Sequence, residues 1–206
     1  MNIGVDIDDT ITYTTDVMIK YADKYNEEIL ENDKLYYNNI GNITDRHYLS
    51  NIYGWSKEIK GDFFNMYYKN IIRECQVIED VANVLTKLKK EGNDIYFVTA
   101  RMTNINGCDT EAITKEMLNI NSIPYDGIIF NAKEKLEYAD KFNIDIFVDD
   151  CFDICNTLEK NGIKTLLVTT DINNKIETDI ERVNNWKQIY ERINCYKNKG
   201  RKNEIK

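Results

Sequence analysis

Five short apolar runs recur along the chain, at residues 2–6, 93–101, 125–130, 144–150 and 164–170, and none shows the period-two alternation of a strand with one wet face. A strand buried on both faces reads this way, and strands spaced by helical patterns indicate a parallel sheet covered on both sides. The intervening segments are helical in pattern. Before the second run, Val81, Val84, Leu85 and Leu88 recur at helical spacing, with Gly92 placed as the C-terminal cap. Before the third, Ile113, Met117 and Leu118 do the same, and "KEKLEYADKFN" and "FDICNTLEKNG" precede the fourth and fifth. The expected fold is an open, doubly wound, Rossmann-like α/β domain.

One segment breaks this rhythm. Residues 14–76 hold no strong strand, only tyrosine-rich helical material. In "TTDVMIKYADKYNEE", Val17, Met18, Tyr21, Ala22 and Tyr25 share a face, and Thr14 or Thr15 is expected as the N-cap. "TDRHYLSNIYG" and "SKEIKGDFFNMYYKNII" suggest two further helices. An insert of about 60 residues is too long for a plain crossover and reads as a small helical lobe. The expected division is a core of residues 1–13 and 77–206 with a helical cap of 14–76 inserted after the first strand.

The net charge of -8 argues against a long nucleic acid as partner, because phosphate backbones are held by basic faces. The basic stretch at 196–202 is expected to be a frayed tail. No run of about 18 apolar residues is present, so no membrane span is expected. The chain enters a strand pattern without a charged and then apolar leader, so no signal peptide is expected either. Cys75, Cys108, Cys151, Cys155 and Cys195 form no C-x-x-C pair, and His47 is the sole histidine, which disfavours zinc and histidine-dependent hydrolases. Reduced thiols fit a cytoplasmic location.

The strand ends carry the chemistry. Ligands of an open parallel sheet bind beyond the carboxyl ends of its strands. The first run ends in Asp6, Asp8, Asp9 and Thr10, the second in Thr99, Ala100 and Arg101, and the fourth in Asp149 and Asp150. "NAKEKL", with Lys133 and Lys135, follows the third. Converging carboxylates repel one another unless a cation offsets them, and oxygen donors of this kind suit Mg²⁺. A lysine and a threonine beside such an ion suit a phosphoryl group, and an aspartate can attack phosphorus directly.

These positions carry a family resemblance. The sequence resembles the haloacid-dehalogenase-like (HAD) phosphohydrolases, matching in order an Asp-x-Asp-x-Thr, a Thr ending the second strand, a helix-start Lys and an acidic pair, over roughly residues 1–170. The resemblance implies Asp6 as nucleophile and Asp8 as general acid and base. It implies phosphate contacts from Thr99, Ala100, Arg101 and Lys135. It implies Mg²⁺ held by Asp6, the Asp8 carbonyl and Asp150, with Asp149 and Thr10 behind the ligands or on a metal-bound water. Lys135 is chosen over Lys133 because it lies 14 residues before Asp149, the spacing of the nearest relatives. "VDIDDTIT", "VTAR", "IDIFVDD" and "RVNNWKQI" are similar to the 5′-nucleotidase, or 5′(3′)-deoxyribonucleotidase, branch, which implies a small phosphorylated substrate, a nucleoside monophosphate being favoured. A homodimer is left open.

Simpler readings stand beside these. Asp9 fits an ordinary turn, Asp153 and Glu159 a helix surface, His47 likewise, and Cys151 and Cys155 helix packing. Arg101 fits a salt bridge as well as a phosphate contact. Trp55 and Trp186 read as anchors, Trp186 in a helix covering the sheet edge. Phe63, Phe64, Tyr67 and Tyr68 read as lobe core, with base stacking as the alternative. Competing functions are a phosphatase for another small ester (a sugar phosphate or phospho-amino acid), a polynucleotide-end phosphatase, and a domain that accepts phosphate as a switch without turnover.

Overall fold

The computed structural model describes residues 1–32 and 40–203. The strands in chain order are β1 (Asn2–Val5), β2 (Asp94–Val98), β3 (Asn104–Ile105), β4 (Cys108–Asp109), β5 (Gly127–Ile129), β6 (Ile146–Asp149), β7 (Lys164–Val168) and β8 (Arg182–Val183). The helices are α1 (Thr14–Glu28), α2 (Tyr48–Tyr53), α3 (Lys57–Glu74), α4 (Val81–Lys90), α5 (Thr110–Ile120), α6 (Lys135–Lys141), α7 (Phe152–Lys160) and α8 (Trp186–Asn203). Six strands form one parallel sheet in the order β5-β2-β1-β6-β7-β8, while β3 and β4 make a separate antiparallel hairpin. This is the expected α/β fold. The chain first builds outward from β1 through β2 to β5 and then returns to the other side of β1 as β6. The order therefore switches between β1 and β6, where a ligand crevice is expected.

Alternation along the central strands sorts side chains onto two covered faces. Ile3, Val5, Ile95, Phe97, Ile146 and Val148 pack under Val84, Leu85 and Leu88 of α4 and Trp186, Ile189 and Ile193 of α8. Phe147, Val98 and Ile144 point the other way, against Ala139 of α6 and Leu158 of α7. Gly4 sits where a Cβ would meet the Phe147 ring at 2.4 Å, so only a glycine lets that ring cross β1. Gly92, at φ +77, closes α4 as expected.

Helices α1, α2 and α3 build a third apolar cluster around Met18, Ala22, Tyr25, Ile52, Trp55 and Phe63. The Trp55 ring lies 5.4 Å from Tyr25 and 5.1 Å from Phe63, and its Nε1 donates to Asn26 Oδ1 at 3.2 Å. Trp55 is thus the anchor expected.

Several local expectations need correction. Helix α8 runs through Asn203, so the basic stretch at 196–202 continues a helix instead of fraying. Trp186 heads that helix inside the main core, on the sheet face beside α4, not over the edge. The N-cap of α1 is Tyr13, not Thr14 or Thr15, and its side chain makes no capping bond. His47 precedes α2 as its N-cap residue and is exposed. Glu159 is half-buried and ties α7 to β7 by accepting from the Thr165 N–H at 2.8 Å.

Candidate active site

Beyond β1 the chain turns sharply. The Asp6 N–H donates to the Val148 carbonyl at 3.0 Å, and Ile11 and Thr12 N–H groups both return to the Ile7 carbonyl. Asp9 adopts φ 55 within this turn, a conformation aspartate tolerates better than most residues. Its carboxylate accepts from the Thr15 N–H at 2.8 Å and from the Thr15 hydroxyl, so the loop supplies the cap that α1 lacks. That frees the Thr14 hydroxyl, which donates to Asp8 Oδ1 at 2.7 Å.

Asp6, Asp8, Ala100, Arg101, Lys135, Asp149 and Asp150 line a single cleft at the switch point. Lys135, at the start of α6, is buried, and its Nζ donates to Asp6 Oδ1 at 2.5 Å and to Asp149 Oδ2 at 2.6 Å. Burial opposes the lysine's charge, but Asp149 and Asp6 overcome that and raise its pKa. The other Asp149 oxygen accepts from the Cys151 N–H at 2.9 Å. Lys133, the alternative, is exposed on the cleft wall.

On the opposite side Arg101, 2 % exposed, forks onto Asp8 with Nη2 at 2.6 Å and Nε at 3.1 Å from Oδ1. Burial works to raise the Asp8 carboxyl, yet the Arg101 guanidinium and the Thr14 hydroxyl hold it below the ordinary carboxylate range. Thr99 is fully buried and accepts from the Arg101 N–H at 3.1 Å, leaving its own proton uncommitted. Thr10 departs from expectation. Its hydroxyl finds no partner among the described residues, its carbonyl accepts from Trp186 Nε1 at 3.0 Å, and it lines a separate pocket beside Trp186 and Thr170 rather than the cleft.

The donor set fits a hard divalent cation. Oxygens of Asp6, Asp149 and Asp150 lie within 4.8 Å of one another, and the Lys135 ammonium bonds only two of these three carboxylates. Asp149 spends both oxygens on Lys135 and Cys151, whereas the Asp150 carboxylate has no hydrogen-bond partner among the described residues. Burial pushes the Asp6 carboxyl up to about 7 despite Lys135, with Asp149 and Asp8 adding to the rise. Burial, then Asp9, Asp149 and Asp6, push Asp150 well above its usual range. Such a surplus of buried negative charge is what a bound cation relieves.

Sequence reasoning took Thr14 only as a helix cap and did not single out Thr44, Arg46 or Tyr48, and all four also line the cleft. Residues 40–46 cross its mouth as a strap. Ile43 N–H donates to the Ile172 carbonyl at 3.0 Å, Asp153 N–H to the Thr44 carbonyl at 3.0 Å, and Arg46 Nη1 to the Lys133 carbonyl at 3.1 Å. Asp153 therefore pins the strap, its N–H donating to the Thr44 carbonyl and its carboxylate accepting from the Thr44 hydroxyl at 3.2 Å. Of the four aromatics of α3, Phe64 and Tyr68 line the cleft, while Phe63 and Tyr67 pack in the lobe.

A doubly wound sheet with an aspartate pair after β1, a buried lysine and a second acidic pair after β6 defines a hydrolase of the HAD superfamily. Solved structures agree on the fold. A predicted phosphatase from Clostridium acetobutylicum superposes with a TM-score of 0.68 at 17% identity, covering 93% of this chain and 97% of that one. A haloacid-dehalogenase-like hydrolase from Streptococcus pneumoniae gives 0.64 at 16% identity, with the same coverage of 93% and 97%. The sequence model described as "5′ nucleotidase, deoxy (Pyrimidine), cytosolic type C protein" matches residues 1–199, and the chain belongs to that family. A protein from Clostridium acetobutylicum named a nucleotidase is 32% identical over 195 residues, 92% of either chain. The protein is accordingly an enzyme of the HAD phosphatase class.

Proposed function

We propose that the protein is a Mg²⁺-dependent phosphomonoesterase that hydrolyses nucleoside or deoxynucleoside monophosphates through an aspartyl-phosphate. The observation that carries this reading is the Lys135 ammonium shared between Asp6 and Asp149, with the Asp150 carboxylate beside them without a hydrogen-bond partner among the described residues. Asp6, the Asp8 carbonyl and Asp150 would hold the ion, which supplies positive charge against which a phosphoryl group is oriented.

Lys135 neutralises charge around Asp6, and Thr99, Ala100 and Arg101 border the phosphoryl oxygens. An Asp6 oxygen attacks phosphorus while the ester P–O bond breaks and Asp8 gives its proton to the leaving alkoxide. Asp8, now ionised, takes a proton from a water whose oxygen attacks the phosphorus. The Asp6–phosphorus bond breaks and inorganic phosphate leaves. Arg101 favours the ionised Asp8 of this second step, so the acidic form of the first requires a proton taken up as substrate binds.

Helices α1 to α3, within residues 14–76, act as a cap over the core of 1–13 and 77–206, and Phe64 and Tyr68 offer the base an aromatic wall. Free cysteines suit a reducing cytoplasm. The test is phosphate release from a panel of nucleotides, sugar phosphates and phospho-amino acids, with Mg²⁺ and with chelator. Preference for nucleotides, with loss of turnover in chelator and in Asp6→Asn, is expected. Full activity of Asp6→Asn would overturn the nucleophile.

A further inference from the structure

Cations in the cleft fall into two groups. Lys135 is spent on Asp6 and Asp149, and Arg101 on Asp8. Arg46 and Lys133, also in the cleft lining, form no ion pair among the described residues. Both are exposed, and both line the same cleft. They also stand together. Arg46 comes from the strap and donates one Nη1 bond to the carbonyl of Lys133, which leaves most of its N–H donors uncommitted. The neighbouring Asp45, also in the cleft lining, accepts from the His47 N–H at 2.5 Å and forms no salt bridge with Arg46 among the described residues. Lys133 lies two positions before Lys135, so its ammonium reaches the same cleft from the rim.

This arrangement gives the cleft a buried phosphoryl site at Asp6, an aromatic wall at Phe64 and Tyr68, and a basic rim. Resting on the nucleotidase reading above, we infer that Arg46 and Lys133 form a second anion subsite. The preferred substrate is then a nucleoside with phosphates on two sugar hydroxyls, a nucleoside 3′,5′-bisphosphate. One phosphate monoester is hydrolysed with consumption of one water, releasing inorganic phosphate and a nucleoside monophosphate. The other phosphate stays intact on the rim, where an arginine fork and a lysine ammonium meet its oxygens.

The experiment compares kcat/KM for a nucleoside 3′,5′-bisphosphate with that for the matching 5′- and 3′-monophosphates. It uses wild type, Arg46→Gln, Lys133→Gln and the double variant, all at saturating Mg²⁺. Wild type is expected to favour the bisphosphate by about tenfold or more, the worth of one to two charge-assisted contacts. Each single variant lowers that ratio, and the double variant brings it close to one. Lys133→Arg, which keeps the charge, retains most of the preference. A wild-type ratio of one or below, or a ratio the double variant leaves intact, overturns the subsite while monophosphate turnover still upholds the nucleotidase reading. Hydrolysis of neither class overturns both. Both side chains are exposed, so folding of the variants is secured, and unchanged melting temperatures verify it.

Discussion

The Arg101 guanidinium holds the Asp8 carboxylate through Nε, at 3.1 Å from each oxygen, and Nη2, at 2.6 Å from Oδ1, while its Nη1 donates to Thr114 at 3.1 Å. A planar fork braced from behind fixes the direction in which Asp8 points. Lysine cannot reproduce it, because an ammonium is a point charge on a flexible stem. Arg101→Lys is therefore expected to lower kcat by about 10- to 100-fold, a partial loss of the roughly 100- to 10,000-fold that a general acid–base group contributes. Losing the guanidinium also lets the Asp8 carboxyl rise towards its ordinary range. The proposed first step needs Asp8 protonated, so the alkaline limb of the kcat/KM profile should then move to higher pH, a shift that a loss of packing alone would not produce.

Asp149 and Asp150 are adjacent yet differently engaged. Asp150→Asn removes a buried carboxylate that has no hydrogen-bond partner among the described residues, so it should raise the Mg²⁺ concentration for half-maximal activity by about tenfold or more. Without metal its melting temperature should hold or increase, since a desolvation penalty is removed. Asp149→Asn takes a partner from buried Lys135 and is expected to lower the metal-free melting temperature. Calorimetry and activity titrated with Mg²⁺ separate the two. Equal behaviour of both variants would refute the division of labour.

The same carboxylates make metal-free stability depend on pH. Asp6 and Asp9 are each raised from 3.8 to about 7 in the folded protein, Asp6 by burial with Asp149 and Asp8, and Asp9 by burial with Asp8 and Asp16. A folded state that holds these protons more tightly than the unfolded one gains stability from them. That gain is complete below about pH 3.8 and is lost as pH rises through about 7. Asp8 acts in the opposite sense, but its depressed pKa confines its effect to the acid side of 3.8. Metal-free protein should thus melt at a higher temperature at pH 5.5 than at 7.5, with saturating Mg²⁺ removing most of the deficit at 7.5. A melting temperature that is flat over this window would contradict the buried-charge account.

What could be read from the sequence follows from where the information sits. The five long strands were legible because each is an apolar run, and the cleft acids because they end those runs. Strand β8 was not, because Arg182 and Val183 carry no pattern in so short an element. The β3–β4 hairpin had a signal, the Asn106-Gly107 pair at φ 49 and 76, that apolar periodicity does not register. The cap of α1 was missed because its acceptor, Asp9, comes from six residues upstream of Thr15. Thr44 and Arg46 reach the cleft only because the strap is bonded to residues about a hundred positions away, such as Asp153, 109 residues from Thr44. No local pattern encodes that meeting.

Gly4 links the sheet interior to the buried Lys135. Its missing Cβ leaves room for the Phe147 ring, whose atoms would lie at 2.4 and 2.5 Å from an added methyl. The face of that ring lies under Lys135, with the ammonium 5.6 Å from its centroid. Phe147 is fully buried and Lys135 only 5 % exposed, so Gly4→Ala cannot be absorbed by a swing into solvent. Overpacking of this kind costs about 1–3 kcal/mol. The displaced ring should also shift Lys135 from its bond with Asp6, lowering kcat more than it raises KM. Phe147→Leu, which vacates the clashing ring edge, should recover much of the stability in the double variant. Denaturant unfolding of both single variants and the pair measures that coupling, and strictly additive losses would show that the two residues do not meet as described.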